Sequence, residues 1–108
     1  MNVDYVDAVF GGASVRFQMG PRRLEVFEAM HGSARASLSR FLTNAWNVGE
    51  LKAVLRSAHP DMFGSISAID DAIAARKPMT YAPLATSILV AALAGLEPET
   101  ATFDEAAT

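Results

Sequence analysis

Residues 5–19, YVDAVFGGASVRFQM, form two runs of alternating side chains on either side of the pair Gly11-Gly12. Glycine reaches the positive φ angles of a primed two-residue turn, so the stretch predicts a β-hairpin whose paired residue numbers sum to 23. That register sets Ala8 opposite Val15, Val6 opposite Phe17 and Phe10 opposite Ala13, while Asp7 meets Arg16 and Tyr5 meets Gln18 on the other side. One face is apolar and the other polar.

Downstream the periodicity changes from strand to helix. Gly20-Pro21 ends the second strand, and Pro21 suits a first helical turn, so a helix is expected over 21–31. Leu24 with Phe27, and Val26 with Met30, form its apolar stripe, leaving Arg22, Arg23, Glu25 and Glu28 to solvent. Gly32 ends it. A second helix starting at Ser33 places Leu38, Phe41, Leu42 and Ala45 on one side, and 44–47 makes a turn. Asn47 followed by Glu50 has capping-box spacing and opens a third helix, in which Leu51, Val54, Leu55 and Ala58 are buried and His59-Pro60 is the stop. After an irregular stretch at 60–64, Ser65 caps a fourth helix with Ile66, Ile69 and Ile73 on one face. Pro78 interrupts it, and Thr80 caps a last helix over 81–94, with Gly95 as its stop. That helix is apolar nearly all round, so either the chain's own core or a second copy covers it, and homo-oligomerisation stays an alternative. The expected fold is α+β and mostly α: an N-terminal hairpin followed by about five short helices packed as a small bundle, in one domain over 1–95. Residues 96–108 are acidic, contain Pro98 and lack periodic apolar positions, and are expected to be a flexible tail.

Composition narrows the function classes. A chain of 108 residues, 51% hydrophobic, can bury a core without staples, and zero cysteines remove disulfides, thiolate metal sites and cysteine nucleophiles together. A reducing cytoplasm is the expected setting. The net charge of -3, with no basic run, argues against a phosphate-binding surface and so against nucleic acid as a partner. The start, MNVDYVDAVF, does not resemble a secretory signal. The uncharged stretch 81–96 has 16 residues, against the ~20 that a membrane span wants, so no membrane is expected.

Nothing in the chain spells a reaction, and no catalytic, cofactor-binding or metal-binding residue is assigned. The two histidines, His31 and His59, fall at helix ends without metal-ligand spacing. Asp70 and Asp71 are adjacent on a helix and point about 100° apart, which does not suit a shared proton. No nucleophile elbow, phosphate loop or dinucleotide fingerprint occurs. Recognition has more candidates: Arg22 and Arg23 at the positive end of a helix dipole, which hint at an acidic partner, Trp46 at a turn, and Met79 and Tyr81 as exposed side chains.

The order of parts resembles the small tail assembly chaperone family of gene transfer agents and tailed bacteriophages, over residues 5–97. The similarity is carried by the hairpin, by LEVFEAMHG, by NAWNVGELKAVLRSA and by RKPMTYAPLATSILVAALAGLEP. The connection SAHPDMFGS departs from the family, which carries several glycines there. The resemblance implies a non-enzymatic cytoplasmic protein, absent from the finished particle. It would hold the tape measure protein, and as a further candidate the tail tube protein, while tube subunits polymerise. Adaptable apolar surface suits that role, and Arg22, Arg23, Phe27, Met30, Trp46, Met79 and Tyr81 are the expected partner-binding residues. Two alternatives come from other classes. One is a structural tail component that pairs with neighbours through its hairpin edge; the other is a small helical regulatory binding module.

Overall fold

A computed structural model describes residues 1–62 and 64–107. Strands β1 (Tyr5–Phe10) and β2 (Ala13–Gln18) are followed by helices α1 (Pro21–His31), α2 (Ala34–Leu42), α3 (Val48–Ala58), α4 (Ser65–Arg76) and α5 (Pro78–Leu93). A third strand, β3 (Thr102–Asp104), comes after them. The hairpin has the register the alternation predicts, from Tyr5 opposite Gln18 to Phe10 opposite Ala13. Gly11 and Gly12 take φ values of 59° and 78°, the pair of positive angles that a type I′ turn requires. Val6, Ala8, Phe10 and Phe17 are buried on the inner face, where Phe10 meets Phe17 edge-on at 5.4 Å. On the outer face Arg16 pairs with Asp7 at 2.7 Å and lies 3.8 Å above the Tyr5 ring.

The helices pack around α5, which contacts α2, α3, α4 and the inner face of the hairpin. Tyr81, Leu84, Ala85, Ile88, Leu89 and Ala91 of this helix are buried within the single chain, which answers the need of an all-round apolar helix for cover on several sides. Among the described residues no helix is long and apolar enough to cross a membrane.

Several local expectations are corrected, each for a physical reason. In α1 only Phe27 is fully buried; Leu24 is half-buried, Val26 is 47% exposed and Met30 is 70% exposed. The single expected stripe splits into two pairs that point to different sides of the helix, and a peripheral helix buries one of them. In α2 the buried positions are Ala34, Ser37 and Phe41, whereas Leu42 is 66% exposed and Ala45 lies beyond the helix end. Ser37 sits inside because its hydroxyl has a partner there: it donates to Glu50 at 2.9 Å. Asn47 caps α3 through a 2.8 Å bond from the Glu50 amide, but the Glu50 carboxylate does not return to Asn47. Arg40 of α2 takes that carboxylate instead and ties α2 to α3.

Ser65 is a buried residue of the first turn of α4, not its cap, and donates to the Met62 carbonyl. Ile69, Ala72 and Ile73 are buried in α4, while Ile66 is exposed. Of the irregular stretch 60–64, Phe63 lies outside the described residues. Pro78 starts α5, three residues before the expected position, because proline at a first helical position removes a donor that has no partner there anyway. Thr80 is therefore inside the helix, with its hydroxyl on the Arg76 carbonyl. Lys77 alone separates α4 from α5 and turns the chain at φ 76°, ψ 149°.

The largest correction concerns the C-terminal segment. Where a flexible acidic tail is expected, Val3 and Leu96 exchange backbone bonds, and β3 pairs in parallel with β1, Ala8 facing Phe103. The sheet order is β2-β1-β3, so β1 is central. Thr108 lies outside the described residues. Glu105 then reaches across the sheet to the hairpin turn. Its carboxylate accepts from the Gly11 and Gly12 amides at 2.8 and 2.7 Å and from the Tyr81 hydroxyl at 2.5 Å, and Arg76 donates to its carbonyl.

Candidate interaction site

The seven residues expected to meet a partner do not all reach the surface. Phe27 and Tyr81 belong to the core, with 1% and 0% exposure, and Tyr81 uses its hydroxyl on Glu105. Trp46 is half-buried and stacks on Phe41 at 5.6 Å, which fits a cover over the α2–α3 junction. Arg23 is half-buried and donates to the carbonyls of Ser57 and His59, so it staples the start of α1 to the end of α3. Arg22, Met30 and Met79 are exposed, the two methionines at 70% each. Val26 and Met30 lie one turn apart on the outer side of α1 and form an exposed apolar pair.

Arg22 and Arg23 belong to a second feature, which the sequence reading did not assemble. The two-residue turn makes Phe10 and Ala13 a hydrogen-bonded pair, and the alternation of an antiparallel ladder continues with Ala8–Val15 and Val6–Phe17. Ser14, Arg16 and Gln18 therefore aim their backbone N–H and C=O groups away from β1. All three residues are exposed, and these outward groups bond to no other described residue. β3 occupies the far side of β1, which leaves β2 as an open edge.

Three depressions are lined by β2 residues: one of about 770 Å³ spans all three strands and is lined by Ser14, Val15 and Arg16 with Asp7 and Asp104, and the other two differ along the strand. Of those two, the first, about 470 Å³, is lined by Arg16, Gln18, Gly20, Pro21, Arg22, Arg23, Ala58 and Pro60. Three arginines and no carboxylate line it, in a chain whose net charge is -3. The second, about 710 Å³, lies beside Ala13 and Val15 and against the Ala68, Ala72 and Ala75 face of α4. His59, at the end of α3, lines the second, and its neighbours Ala58 and Pro60 line the first. Its Nδ1 accepts from the Asp61 amide at 3.0 Å, which places the proton of the neutral ring on Nε2. Burial lowers its pKa, against Asp61 and with the help of the positive Arg23, so the ring stays neutral at pH 7.

Tyr81 and Glu105 line the second depression, and each holds the other. Burial pushes the Tyr81 hydroxyl well above the usual phenol range, and the Glu105 carboxylate pushes it further. For Glu105 itself burial opposes ionisation, but the bonds from Tyr81, Gly11 and Gly12 and the charge of Arg76 outweigh it, and the carboxyl is held below the usual range. The pair thus acts as a structural clasp on the turn. Among the described residues no group of three or more His, Asp or Glu side chains is placed to hold a metal ion. The sequence places Arg16 and Gln18 on the polar face of the hairpin but does not mark them, or Ser14, as residues of an open edge. The turn length implies which amides point outward; which strand stays open depends on β3, which gave no signal.

No family model, curated protein or solved structure matches the chain at a significant level.

Proposed function

We propose that the chain is a non-enzymatic tail assembly chaperone that binds the tape measure protein and assists polymerisation of the tail tube. The reading rests on the resemblance carried by NAWNVGELKAVLRSA and RKPMTYAPLATSILVAALAGLEP. One structural observation supports it: with α5 already covered by its own chain, Val26 and Met30 still stand exposed on the outer side of α1, and Met79 stands exposed at the start of α5. Flexible thioether side chains on a finished domain suit the holding of an apolar helix before the tube encloses it. Met30, Met79 and the accessible part of Trp46 are the contacts proposed for that helix, with Arg22 at its rim. Phe27 and Tyr81 drop out. A chaperone of this kind works in the host cytoplasm and leaves before the particle is finished.

The test is purification of the tagged chain from cells producing particles, with mass spectrometry of what accompanies it and of the finished particles. Tape measure protein in the first sample, and absence of the chain from the second, is the expected pair of results; failure to recover any tail protein sinks the reading. The open β2 edge favours one alternative, a structural tail component that pairs with its neighbours. Multiple copies of the chain in each purified tail would select it.

A further inference from the structure

We propose that the open edge of β2 is a docking site for an extended segment of a partner protein, apolar at one end and acidic at the other, which adds to the sheet as a fourth strand. The proposal stands on this edge and the two depressions that differ along it, independently of the chaperone reading.

Three observations carry it. First, the backbone groups of Ser14, Arg16 and Gln18 point outward, belong to exposed residues and bond to no other described residue. They form the alternate donors and acceptors of a strand without a neighbour, the template that strand addition uses. Second, the flanking depressions differ in chemistry along the strand. Beside Gln18 the wall carries Arg16, Arg22 and Arg23 with no carboxylate; beside Ala13 and Val15 it carries Ala68, Ala72 and Ala75 of α4, with Asp71 and Arg76 on the same helix and the Glu105 carboxylate turned to the hairpin amides. An acidic side chain suits the first and an apolar one the second. Third, the arginines are not equivalent. Arg16 is paired with Asp7, and Arg23 holds the carbonyls of Ser57 and His59, but the Arg22 side chain makes no ion pair or hydrogen bond among the described residues. Two arginines are thereby held in place, and the third is left to meet an acidic residue.

A second copy of the chain fits this edge poorly. Antiparallel pairing of two β2 edges about their centre would set Arg16 opposite Arg16, and like charges directly opposite one another are destabilising.

The test uses the full chain and synthetic eight-residue peptides rich in β-branched residues, with two apolar residues at one end and two glutamates at the other, made in both chain directions. Amide exchange followed by NMR reads the site. Binding of one of these peptides is expected to slow exchange at Ser14, Arg16 and Gln18 and to leave Val15 and Phe17, already paired with β1, unchanged. Replacing the glutamates with lysines should weaken binding about tenfold, and Arg22→Glu in the protein about threefold to fivefold, the size of an exposed ion pair. Methylating alternate backbone nitrogens of the peptide, which removes its donors and leaves the protein untouched, should cost about tenfold or more. The proposal is overturned if neither peptide direction protects these amides or if the methylated peptide binds equally well. It is also overturned if free glutamate gives the same protection, or if the amides become protected with protein concentration alone, which would make the occupant a second copy.

Discussion

Removing the Glu105 carboxylate should destabilise the whole domain, although the residue lies three positions before the last of the sequence. In Glu105→Ala the Tyr81 hydroxyl, on a residue with 0% exposure, loses its acceptor. A buried donor left without a partner costs about 1–3 kcal/mol. The Gly11 and Gly12 amides belong to exposed residues and can turn to water, so each loses only the net worth of its bond, about 0.5–1 kcal/mol. The sum is about 2–5 kcal/mol, a large part of the roughly 5–15 kcal/mol that holds a domain of this size together. With a urea slope of about 2 kcal/mol per molar, the midpoint should fall by about 1–2.5 M. Trp46, the single tryptophan, stacked on Phe41, reports the transition by fluorescence.

The mechanism makes a sharper demand through coupling. Tyr81→Phe alone should cost about 1 kcal/mol, since Glu105 keeps its two turn amides. In that background Glu105→Ala no longer strands a hydroxyl, so its cost should shrink by about 1–2 kcal/mol. If Glu105→Ala shifts stability by less than about 0.5 kcal/mol, or if the two changes add without coupling, the clasp is not what joins the C-terminal segment to the turn.

Other consequences follow from the same geometry. Glu50 is held below the usual carboxylate range, first by its hydrogen bond from Arg40 and then, against burial, by Ser37, and Glu105 is also held low. A carboxylate with a depressed folded pKa adds stability above its unfolded value, near 4.3, and that stability is lost as pH falls through the folded value. Urea midpoints should therefore fall steeply below about pH 4.5, and Glu50→Gln or Glu105→Gln should start lower at pH 7 and show a shallower fall; an unchanged slope contradicts the assignment. Lys77 holds a backbone conformation that suits glycine, so Lys77→Gly should raise stability by about 1 kcal/mol, strain relief exceeding the added freedom of the unfolded chain, and a loss in thermal melting would show that the joint is unstrained. Gly95 has φ 83°, and a Cβ there would lie 2.8 Å from the Asn2 Cβ, so Gly95→Ala should cost about 2 kcal/mol or more in the same melts. Gly20→Ala, at an ordinary φ with open space around it, is the control and should stay within about 0.5 kcal/mol.

The parts legible in the sequence are those whose cause is local. Gly11-Gly12 and the alternation around it specify every pair of the hairpin, because a two-residue turn leaves one register that keeps Val6, Ala8 and Phe17 inside. The Asn47 cap and the buried face of α3 are local in the same sense. Helix faces were misread where the answer depends on a neighbour. Ser37 is inside because Glu50 from α3 meets it, and Met30 is outside because nothing packs over that side of α1. Proline at 78 read as an interruption, yet a single strained residue before it lets α5 begin at once.

β3 is the extreme case. TFD is too short for a periodic signal, and its pairing joins residues about 95 positions apart in the chain, so nothing adjacent to it announces a strand. The same long-range contact determines where a partner could dock. A bare hairpin has two open edges; once the C-terminal segment covers β1 and Glu105 clasps the turn, the edge of the hairpin left open is β2, whose outward amides lie beside the arginines at the start of α1. The acidic residue that looked like part of a solvated tail is thus what holds closed the edge opposite the one left open. Its own charge is used at the turn, and in the basic depression beside β2, where Asp7 already pairs with Arg16, Arg22 is the arginine left for a carboxylate from outside the chain.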